Sequence, residues 1–175
     1  MRIESSDLIP DAKLILLESF KDERGEFFET FSTLTHRFEA EANEPIAFVE
    51  DDIAITLRGT LRGMHGDHAT WKLMQCLVGE VQLAFVDMRP GSATYLCAED
   101  MTLSERERRQ VLVPAGCAVG HLALSERSVI SYKQSSHYSG ATAQFTVRWD
   151  DPKVGISWQI QTPRLSQRDA AAALL

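Results

Sequence analysis

The amino-acid sequence predicts an all-β domain, folded as an antiparallel sandwich or a jelly-roll barrel. From residue 46 onward, short runs of β-favouring residues follow one another, and glycine or proline ends most of them, as in VGE, RPGS and VPAG. This spacing is typical of antiparallel all-β folds rather than of alternating βα units. The runs expected to contain strands are 46–56, 71–88, 94–103, 109–116, 128–134 and 143–149.

Two further segments have helical character, and we expect them to flank the barrel. Residues 32–42, STLTHRFEAEA, carry good helix formers. The last segment, LSQRDAAAALL, has a Ser-x-x-Asp start followed by an alanine run. In this segment Ser166 and Asp169 are expected to form a capping box at the helix start.

Composition limits the possible partners and compartments. A chain of 175 residues fits one domain, 1–175, because single cores stop growing only beyond about 250 residues. Its net charge of −7 argues against general binding to nucleic acid or an anionic membrane. The sequence has neither a transmembrane run nor an apolar signal core, and its three cysteines, Cys76, Cys97 and Cys117, form no CxxC motif. We therefore expect a cytoplasmic protein with reduced, mostly buried thiols.

The stretch LRGMHGDHATWKL, residues 61–73, is the most informative for chemistry. A metal site would need converging ligands, yet His65 and His68 are three residues apart and would point to opposite faces of a strand. His121 could supply a third ligand, so the metal alternative stays open. A proton-transfer site needs an imidazole and nearby positive groups, which Arg62, His65 and Lys72 supply. Tyr138 is a candidate second acid or base, and a solvated turn histidine is the simplest alternative.

Several motifs, taken together and in order, resemble the dTDP-4-dehydrorhamnose 3,5-epimerase family. The resemblance covers about 150 residues and rests on eight pieces: DERGEFFETF, FVEDDIAIT, GTLRGMH, WKLMQCLVGEVQLAFVDMRPGSATY, VPAG, YKQSSHY, WDDP and LSQRD. It implies a cupin-like jelly-roll barrel that needs no metal or other cofactor. It also implies an isomerase that acts on a nucleotide-diphosphate 4-keto sugar, and in many members a homodimer.

The resemblance also implies a role for each matching residue. His65 matches the family's catalytic base, and Asp169 matches the aspartate that pairs with this histidine. Tyr138 matches the acid on the opposite face of the sugar, and Lys72 is the candidate that stabilises the enolate. The remaining residues are expected to bind substrate: Arg62 at the phosphates, Arg24 and Glu29 at the nucleotide, in many members from the neighbouring subunit, together with Phe27 and His121.

The chain departs from the family pattern at two places. The family's alanine-histidine-glycine run reads Ala118, Val119, Gly120, His121 here, so the imidazole is displaced by two positions. A shift of two keeps the same face of a strand but moves the ring by roughly 6 to 7 Å. In addition, Glu50, Asp51 and Asp52 replace the usual residues of an FVQD-Asn run. These changes leave open which sugar is accepted and whether one carbon or two is inverted.

The sequence therefore predicts an epimerase that inverts C3, C5 or both in a sugar of surface-polysaccharide biosynthesis. GDHATWKL and GHLALS resemble the branch that acts on GDP-linked 4-keto heptoses for capsules. A sugar 3,4-ketoisomerase, a non-catalytic cupin that only binds sugar nucleotides, and a metal-dependent cupin oxygenase are the alternatives. The nucleobase could be guanine, thymine or cytosine.

Overall fold

The computed structural model describes residues 1–40 and 43–175, and its regular structure is almost entirely antiparallel strand. The fourteen principal elements of this described part are named β1 to β13 and α1 in chain order. They are β1 Arg2–Ser5, β2 Lys13–Leu16, β3 Ser19–Asp22, β4 Gly25–Phe28, β5 Glu50–Leu57, β6 Leu61–Gly66, β7 Lys72–Val78, β8 Glu80–Asp87, β9 Ala98–Ser104, β10 Arg109–Val113, β11 Cys117–Ala123, β12 Arg127–Gln134, β13 Phe145–Thr146 and α1 Gln167–Ala170.

Two main sheets form the body of the molecule. The six-stranded sheet has the order β1-β2-β10-β7-β12-β5, and the five-stranded sheet has the order β13-β6-β11-β8-β9. Strands distant in the sequence are neighbours in both sheets, as expected when Greek-key connections build a jelly roll. The predicted all-β, cupin-like jelly-roll class is confirmed.

The space between the two sheets is filled by apolar side chains from both. Met74 and Ile130 from the six-stranded sheet pack with Leu83, Phe85 and Val119 from the five-stranded one, all less than 10% exposed. Every residue of β11 is buried, because a second cluster covers the other face of that sheet. Trp158 and Val154, from the segment that follows β13, belong to this cluster. Strand runs without apolar–polar alternation are expected when both faces of a sheet are covered.

The outer face of the six-stranded sheet is partly covered by the chain between β2 and β5. Phe38 packs there against Ile15, Leu73 and Leu112. The helix predicted for 32–42 is wrong over its described part, since residues 32–40 form turns and extended chain instead. His36 and Phe38, two residues apart, are both buried, and this burial overrides the helix propensity of the segment. Residues 41 and 42 lie outside the described residues.

The C-terminal helix exists but is a single turn. It begins after the N-cap Ser166 and ends at Ala170, so the alanine run that follows is not helical. Most of these last residues are exposed and have little apolar surface to bury, and short helices in water are marginal without such packing. The turn nevertheless fixes the position of Asp169, which is buried.

Candidate active site

Strand β6 carries two of the predicted site residues, and its path is set by Gly63. Gly63 has a φ of +119°, and a Cβ added there would lie 2.6 Å from the Cα of Gly120. Only glycine permits such a close approach to β11 together with this backbone angle. In the resulting geometry Met64 packs into the cluster under the C-terminal segment, whereas Arg62 and His65 contact polar partners.

His65 and Asp169 form a hydrogen-bonded pair across 104 residues of sequence. His65 Nε2 lies 2.6 Å from Asp169 Oδ1, and the Asp169 side chain is 4% exposed. Burial by itself would raise the pKa of Asp169, but hydrogen bonds from His65 and Ser166 outweigh it and hold the pKa below its usual value. An ionised carboxylate only accepts, so His65 Nε2 carries the hydrogen, and Nδ1 keeps the free lone pair.

The two interpretations of Asp169 that compete in the sequence are compatible in the structure. The backbone N–H of Asp169 donates to Ser166 Oγ at 3.1 Å, which caps the helix. The carboxylate accepts hydrogen bonds from His65 and from the Ser166 side chain. One residue thus serves both the cap and the histidine through two different groups.

Lys72 stands at the start of β7 and is only 9% exposed. Burial lowers its pKa, an effect that the negative charge of Asp67 opposes and the positive charge of Arg168 reinforces. Burial of an ammonium group without a negatively charged partner costs free energy. A buried lysine is therefore typical of sites where a bound ligand supplies the negative charge. Lys72 is therefore suited to bind the oxygen of an enolate or another substrate oxygen.

Arg168 is a candidate that the sequence reasoning missed. It precedes Asp169, and its guanidinium donates to Thr146 Oγ1 at 3.0 Å and to Gln144 Oε1 at 3.3 Å. Its Nη2 is buried and has no hydrogen-bond partner among residues 1–40 and 43–175. A buried donor without a partner is uncommon in native proteins. Its position beside Asp169 in LSQRD was the only available signal in the sequence.

The displaced histidine is a buried residue of β11. His121 is 5% exposed, and its Nε2 lies 3.2 Å from Thr56 Oγ1 on β5. Burial, with a further contribution from the positive charge of Arg62, lowers the pKa of His121 to about 4. Val119, at the position of the family's second histidine, is paired with His65 in the strand register. An apolar residue thus occupies the β11 position opposite His65.

Two tyrosines are candidates for a proton donor. Tyr138, the residue expected from the sequence, lies in the loop after β12, is 55% exposed, and its backbone N–H donates to Glu50. Tyr132, which the sequence reasoning missed, packs against the core between the sheets. Burial raises the pKa of Tyr132, and the charge of Asp52 adds to this, so its hydroxyl is protonated at neutral pH. The alternation in SVISYKQ could have indicated that Tyr132 shares the inward face with Ile130 and Gln134.

Two of the three acidic residues that depart from the family pattern, Glu50 and Asp52, contact Gln134. The amide nitrogen of Gln134 donates to Glu50 Oε1 at 2.7 Å and to Asp52 Oδ2 at 2.8 Å. Hydrogen bonds from the Tyr138 backbone lower the pKa of Glu50 although burial opposes them. Two carboxylates are therefore held next to the two candidate tyrosines.

The residues predicted to hold the nucleotide lie on or next to the β3–β4 hairpin, away from these groups. Arg24 is ion-paired with Asp22 and highly exposed, and Phe27 is 71% exposed. Glu29 accepts a hydrogen bond from Thr35. Within the described part of the chain, no hydrogen bond or ion pair connects these three residues to His65, Lys72 or Asp169. Phe20 and Phe27, which pair across this hairpin, are both exposed on the single chain.

The other histidine of the opening motif lies at the margin of this region. His68 is exposed, and its ring stacks at 5.2 Å on Phe145 in a tilted arrangement. Among the residues that the structure describes, no three His, Cys, Asp or Glu side chains are grouped so that they could hold a metal ion. Likewise, none of the described helices has the length and apolar character needed to cross a membrane.

Comparison with known proteins gives a consistent result. The model of the dTDP-4-dehydrorhamnose 3,5-epimerase family matches residues 7–175. The dTDP-4-dehydrorhamnose 3,5-epimerase of Salmonella typhimurium is 37% identical, and the alignment covers 100% of this chain and 96% of that protein.

Solved structures of similar proteins extend over the same length. The dTDP-6-deoxy-D-glucose-3,5-epimerase of Legionella pneumophila, solved with dTDP-4-keto-L-rhamnose, has a TM-score of 0.88 and 31% identity. That match covers 99% of this chain and 92% of the other. A 4-keto-6-deoxy sugar epimerase from the novobiocin gene cluster of Streptomyces spheroides has a TM-score of 0.90 and 31% identity, over 99% and 87% of the two chains.

Proposed function

This chain belongs to the dTDP-4-dehydrorhamnose 3,5-epimerase family, and from that premise we propose that it inverts C3, C5 or both in a nucleotide-linked 4-keto sugar. The observation that carries the proposal is the contact of 2.6 Å between His65 and the buried Asp169. It supplies an oriented imidazole with a free Nδ1 lone pair, which is what abstraction of a proton from carbon requires.

In the proposed reaction, His65 Nδ1 takes the proton from the carbon next to the ketone. The electron pair of the broken C–H bond forms the enolate, whose negative charge is on the former carbonyl oxygen. Asp169 keeps the imidazole oriented and stabilises the imidazolium that results. A proton from the opposite face of the sugar then reprotonates the carbon, which inverts its configuration.

The base alone is insufficient, because a proton next to a ketone is far less acidic than an imidazolium. The enolate oxygen must be stabilised as its charge develops, by donors that are already in place and poorly hydrated. Lys72 fits this role because it is buried and cationic. The unpartnered Nη2 of Arg168 is a second donor suited to a substrate oxygen.

For the proton donor we propose a tyrosine. Tyr138 is the residue that the family resemblance indicates, and Tyr132 is the one that the burial pattern favours. Tyr132 belongs to the interior between the sheets, and its raised pKa keeps a proton on the hydroxyl at neutral pH. We therefore expect Tyr132 to deliver the proton and Tyr138 to contact the substrate nearer the opening.

The nucleotide is proposed to be held by Arg62 at the diphosphate and by Arg24, Phe27 and Glu29 at the nucleoside. The last three lie on an exposed surface of their own chain, which supports a homodimer in which each hairpin completes the partner's site. His121, also expected to bind substrate, is too buried for an extensive contact.

The decisive experiment is turnover of a dTDP-linked 4-keto-6-deoxyhexose in deuterium oxide. We expect solvent deuterium to enter the sugar at each inverted carbon, one for a C3 epimerase and two for a 3,5-epimerase, as resolved by proton NMR. His65→Asn should abolish incorporation. A product with its carbonyl moved to another carbon would indicate a ketoisomerase, and binding without exchange would indicate a binding module.

The nucleobase needs a separate measurement. The relatives from Salmonella typhimurium and Legionella pneumophila are named for dTDP-linked sugars, which supports thymine. Titration calorimetry with dTDP, GDP and CDP should then show the tightest binding for dTDP. A clear preference for GDP would instead support the capsule-heptose branch that GDHATWKL suggests.

We also propose that the reaction needs no metal ion and takes place in the cytoplasm. Turnover should survive dialysis against a chelator, and a stoichiometric bound transition metal whose removal stops turnover would contradict the proposal. The compartment is supported by the three cysteines, which are free in the described structure, as is common where thiols are kept reduced.

A further inference from the structure

Three residues from β5, β6 and β11 form a hydrogen-bonded chain that connects the two main sheets. Thr56 Oγ1 on β5 lies 3.1 Å from Arg62 Nε on β6 and 3.2 Å from His121 Nε2 on β11. Thr56 is 1% exposed and His121 is 5% exposed, so neither depends on bulk water for its hydrogen bonds. The mechanism proposed above uses Arg62 but neither of the other two.

The direction of each hydrogen bond follows from the chemistry of the groups. Arg62 Nε only donates, so Thr56 Oγ1 accepts there. The hydroxyl hydrogen of Thr56 then needs an acceptor of its own, because a buried polar group without a partner is costly. His121 Nε2 is within reach and accepts as long as the imidazole is neutral. Burial and the adjacent Arg62 charge keep it neutral, since they lower its pKa to about 4.

This chain determines how the guanidinium of Arg62 is presented. Its Nη2 also lies 3.4 Å from the carbonyl oxygen of Ile55, so the Nε and Nη2 side of the group faces β5. The remaining N–H donors at the end of the guanidinium are left for another partner. Arg62 has no carboxylate within ion-pair distance among residues 1–40 and 43–175, and much of its side chain is exposed. It is thus oriented and available for an anion.

We propose that His121 and Thr56 are positioning residues that fix Arg62 for the diphosphate of the substrate, and that His121 does not act at the reacting carbon. The inference rests on the proposed function and deepens it. Val119 stands in the register position opposite His65, so the only imidazole of β11 is the one bonded to Thr56. Because the histidine is displaced by two residues, it contacts Thr56 instead of the sugar. It thereby helps to orient Arg62, the proposed phosphate-binding residue.

The test uses four single variants of the intact protein, one double variant, one control variant and three ligands. Thr56→Val keeps the shape of the side chain and removes the hydroxyl, whereas His121→Phe keeps the ring and removes the acceptor. Thr56→Ser and His121→Gln restore a hydroxyl and an acceptor. Calorimetry gives the Kd for dTDP, for inorganic pyrophosphate and for thymidine, and steady-state kinetics with the keto sugar gives kcat and KM.

We expect Thr56→Val and His121→Phe each to raise the Kd for dTDP and pyrophosphate about five- to tenfold, as loss of one hydrogen bond implies. KM should rise with Kd, kcat should stay within about twofold, and thymidine binding should not change. The double variant should bind dTDP no more weakly than either single variant, because both substitutions disrupt the same hydrogen-bonded chain. Thr56→Ser and His121→Gln should recover most of the affinity. Thr102→Val, a partly buried threonine of β9, is the matched control and should behave as wild type.

Three results would overturn the proposal. A loss of kcat with unchanged Kd would place His121 at the sugar. An equal loss of affinity for thymidine would mean that the variants damage the whole site. An unchanged Kd for pyrophosphate would exclude an effect on Arg62. If His121→Phe does not fold, Thr56→Val decides the question. Wild-type protein that neither binds dTDP nor exchanges deuterium would instead refute the proposed function, so the two failures are distinguishable.

Discussion

Asp169 shows how one residue combines a structural and a chemical role. Its backbone N–H donates a hydrogen bond to Oγ of the N-cap residue Ser166, and its carboxylate accepts one from His65 Nε2. An Asp169→Asn substitution keeps the backbone N–H that donates to the N-cap residue. It removes only the negative charge of the carboxylate. The two roles can therefore be separated by substitutions at the two positions.

We predict that Asp169→Asn lowers kcat by roughly a thousandfold, since the amide no longer fixes the imidazole tautomer or stabilises the imidazolium. Its melting temperature should change by only a few degrees, because the cap remains. Ser166→Ala should show the converse, with about 1 kcal/mol of lost stability and a decrease in kcat of less than tenfold. Thermal unfolding and steady-state kinetics on both variants measure the difference. A severely unstable Asp169→Asn that retains turnover would mean that the carboxylate serves the helix.

The identity of the proton donor is the second prediction at this scale. Tyr132→Phe should lower kcat by at least a hundredfold with little change in KM, because it removes the hydroxyl of this partly buried tyrosine but keeps the ring. Tyr138→Phe should mainly raise KM, as expected of an exposed contact residue. Kinetics and deuterium incorporation on the two variants provide the comparison. The opposite pattern would favour Tyr138 as the donor.

At the scale of elements, the sequence predicted the strands better than the helices. Runs such as WKLMQCLVGEVQLAFVDM contain β7 and β8 because their apolar residues fill a two-sided core. The segment 32–42 could not be predicted from helix propensity, since the burial of His36 and Phe38 depends on a sheet surface formed by distant strands. β11 was not among the predicted runs, because its glycine and histidine obscure a strand buried on both faces.

The β3–β4 hairpin is connected to the body by a pair that depends on pH. Arg108 is ion-paired with Glu26 and lies 4.5 Å over the ring of Phe28. The hydrogen bond from Arg108, followed by one from Ser19, lowers the pKa of Glu26 to about 2. A carboxyl with a lowered pKa stabilises the folded form above its ordinary pKa. That contribution is lost as pH falls through the lowered value.

We therefore predict that the hairpin loosens in acid before the barrel unfolds. Amide hydrogen exchange within Ser19–Phe28 should accelerate as pH is lowered from about 4.5 towards 2, relative to exchange in β8 and β11 at the same pH. Glu26→Gln should show weak protection of the hairpin at every pH and no such transition. Equal acceleration in the hairpin and in the two core strands would show that the pair does not control the hairpin.

At the scale of the molecule, the charge distribution explains how an acidic protein can receive an anionic substrate. The chain carries a net charge of −7, yet Lys72 and Arg168 are close enough for their charges to interact, and the charge of Arg62 acts on the nearby Tyr132. A local cluster of cations surrounded by low-dielectric walls attracts anions even when the total charge is negative. The sequence indicated Arg62 and Lys72 by motif, but the pairing of His65 with Asp169, 104 residues further along the chain, depends on the complete fold.

The outer face of β5 leads to the last prediction, which concerns assembly. Ile53, Ile55 and Leu57 alternate along this edge strand, and Val49 immediately precedes it. Each of the four is about half exposed, which is unusual for a group of apolar side chains in a monomer. We expect the wild-type protein to be a dimer by light scattering, and Ile53→Glu to be monomeric at micromolar concentration, because a charge in an apolar interface is costly.

The dimer prediction also has a catalytic consequence, because the nucleotide-binding hairpin is proposed to serve the partner's site. Ile53→Glu should therefore raise KM for the keto sugar by at least tenfold, although Ile53 is 57% exposed on β5 and is not among the proposed catalytic residues. Leu8→Glu is the matched control, since Leu8 is 51% exposed in the turn between β1 and β2 and should affect neither assembly nor KM. A monomeric Ile53→Glu with wild-type KM would show that each chain holds its nucleotide unaided. In that case, Arg24, Phe27 and Glu29 would have to act within their own subunit or not at all.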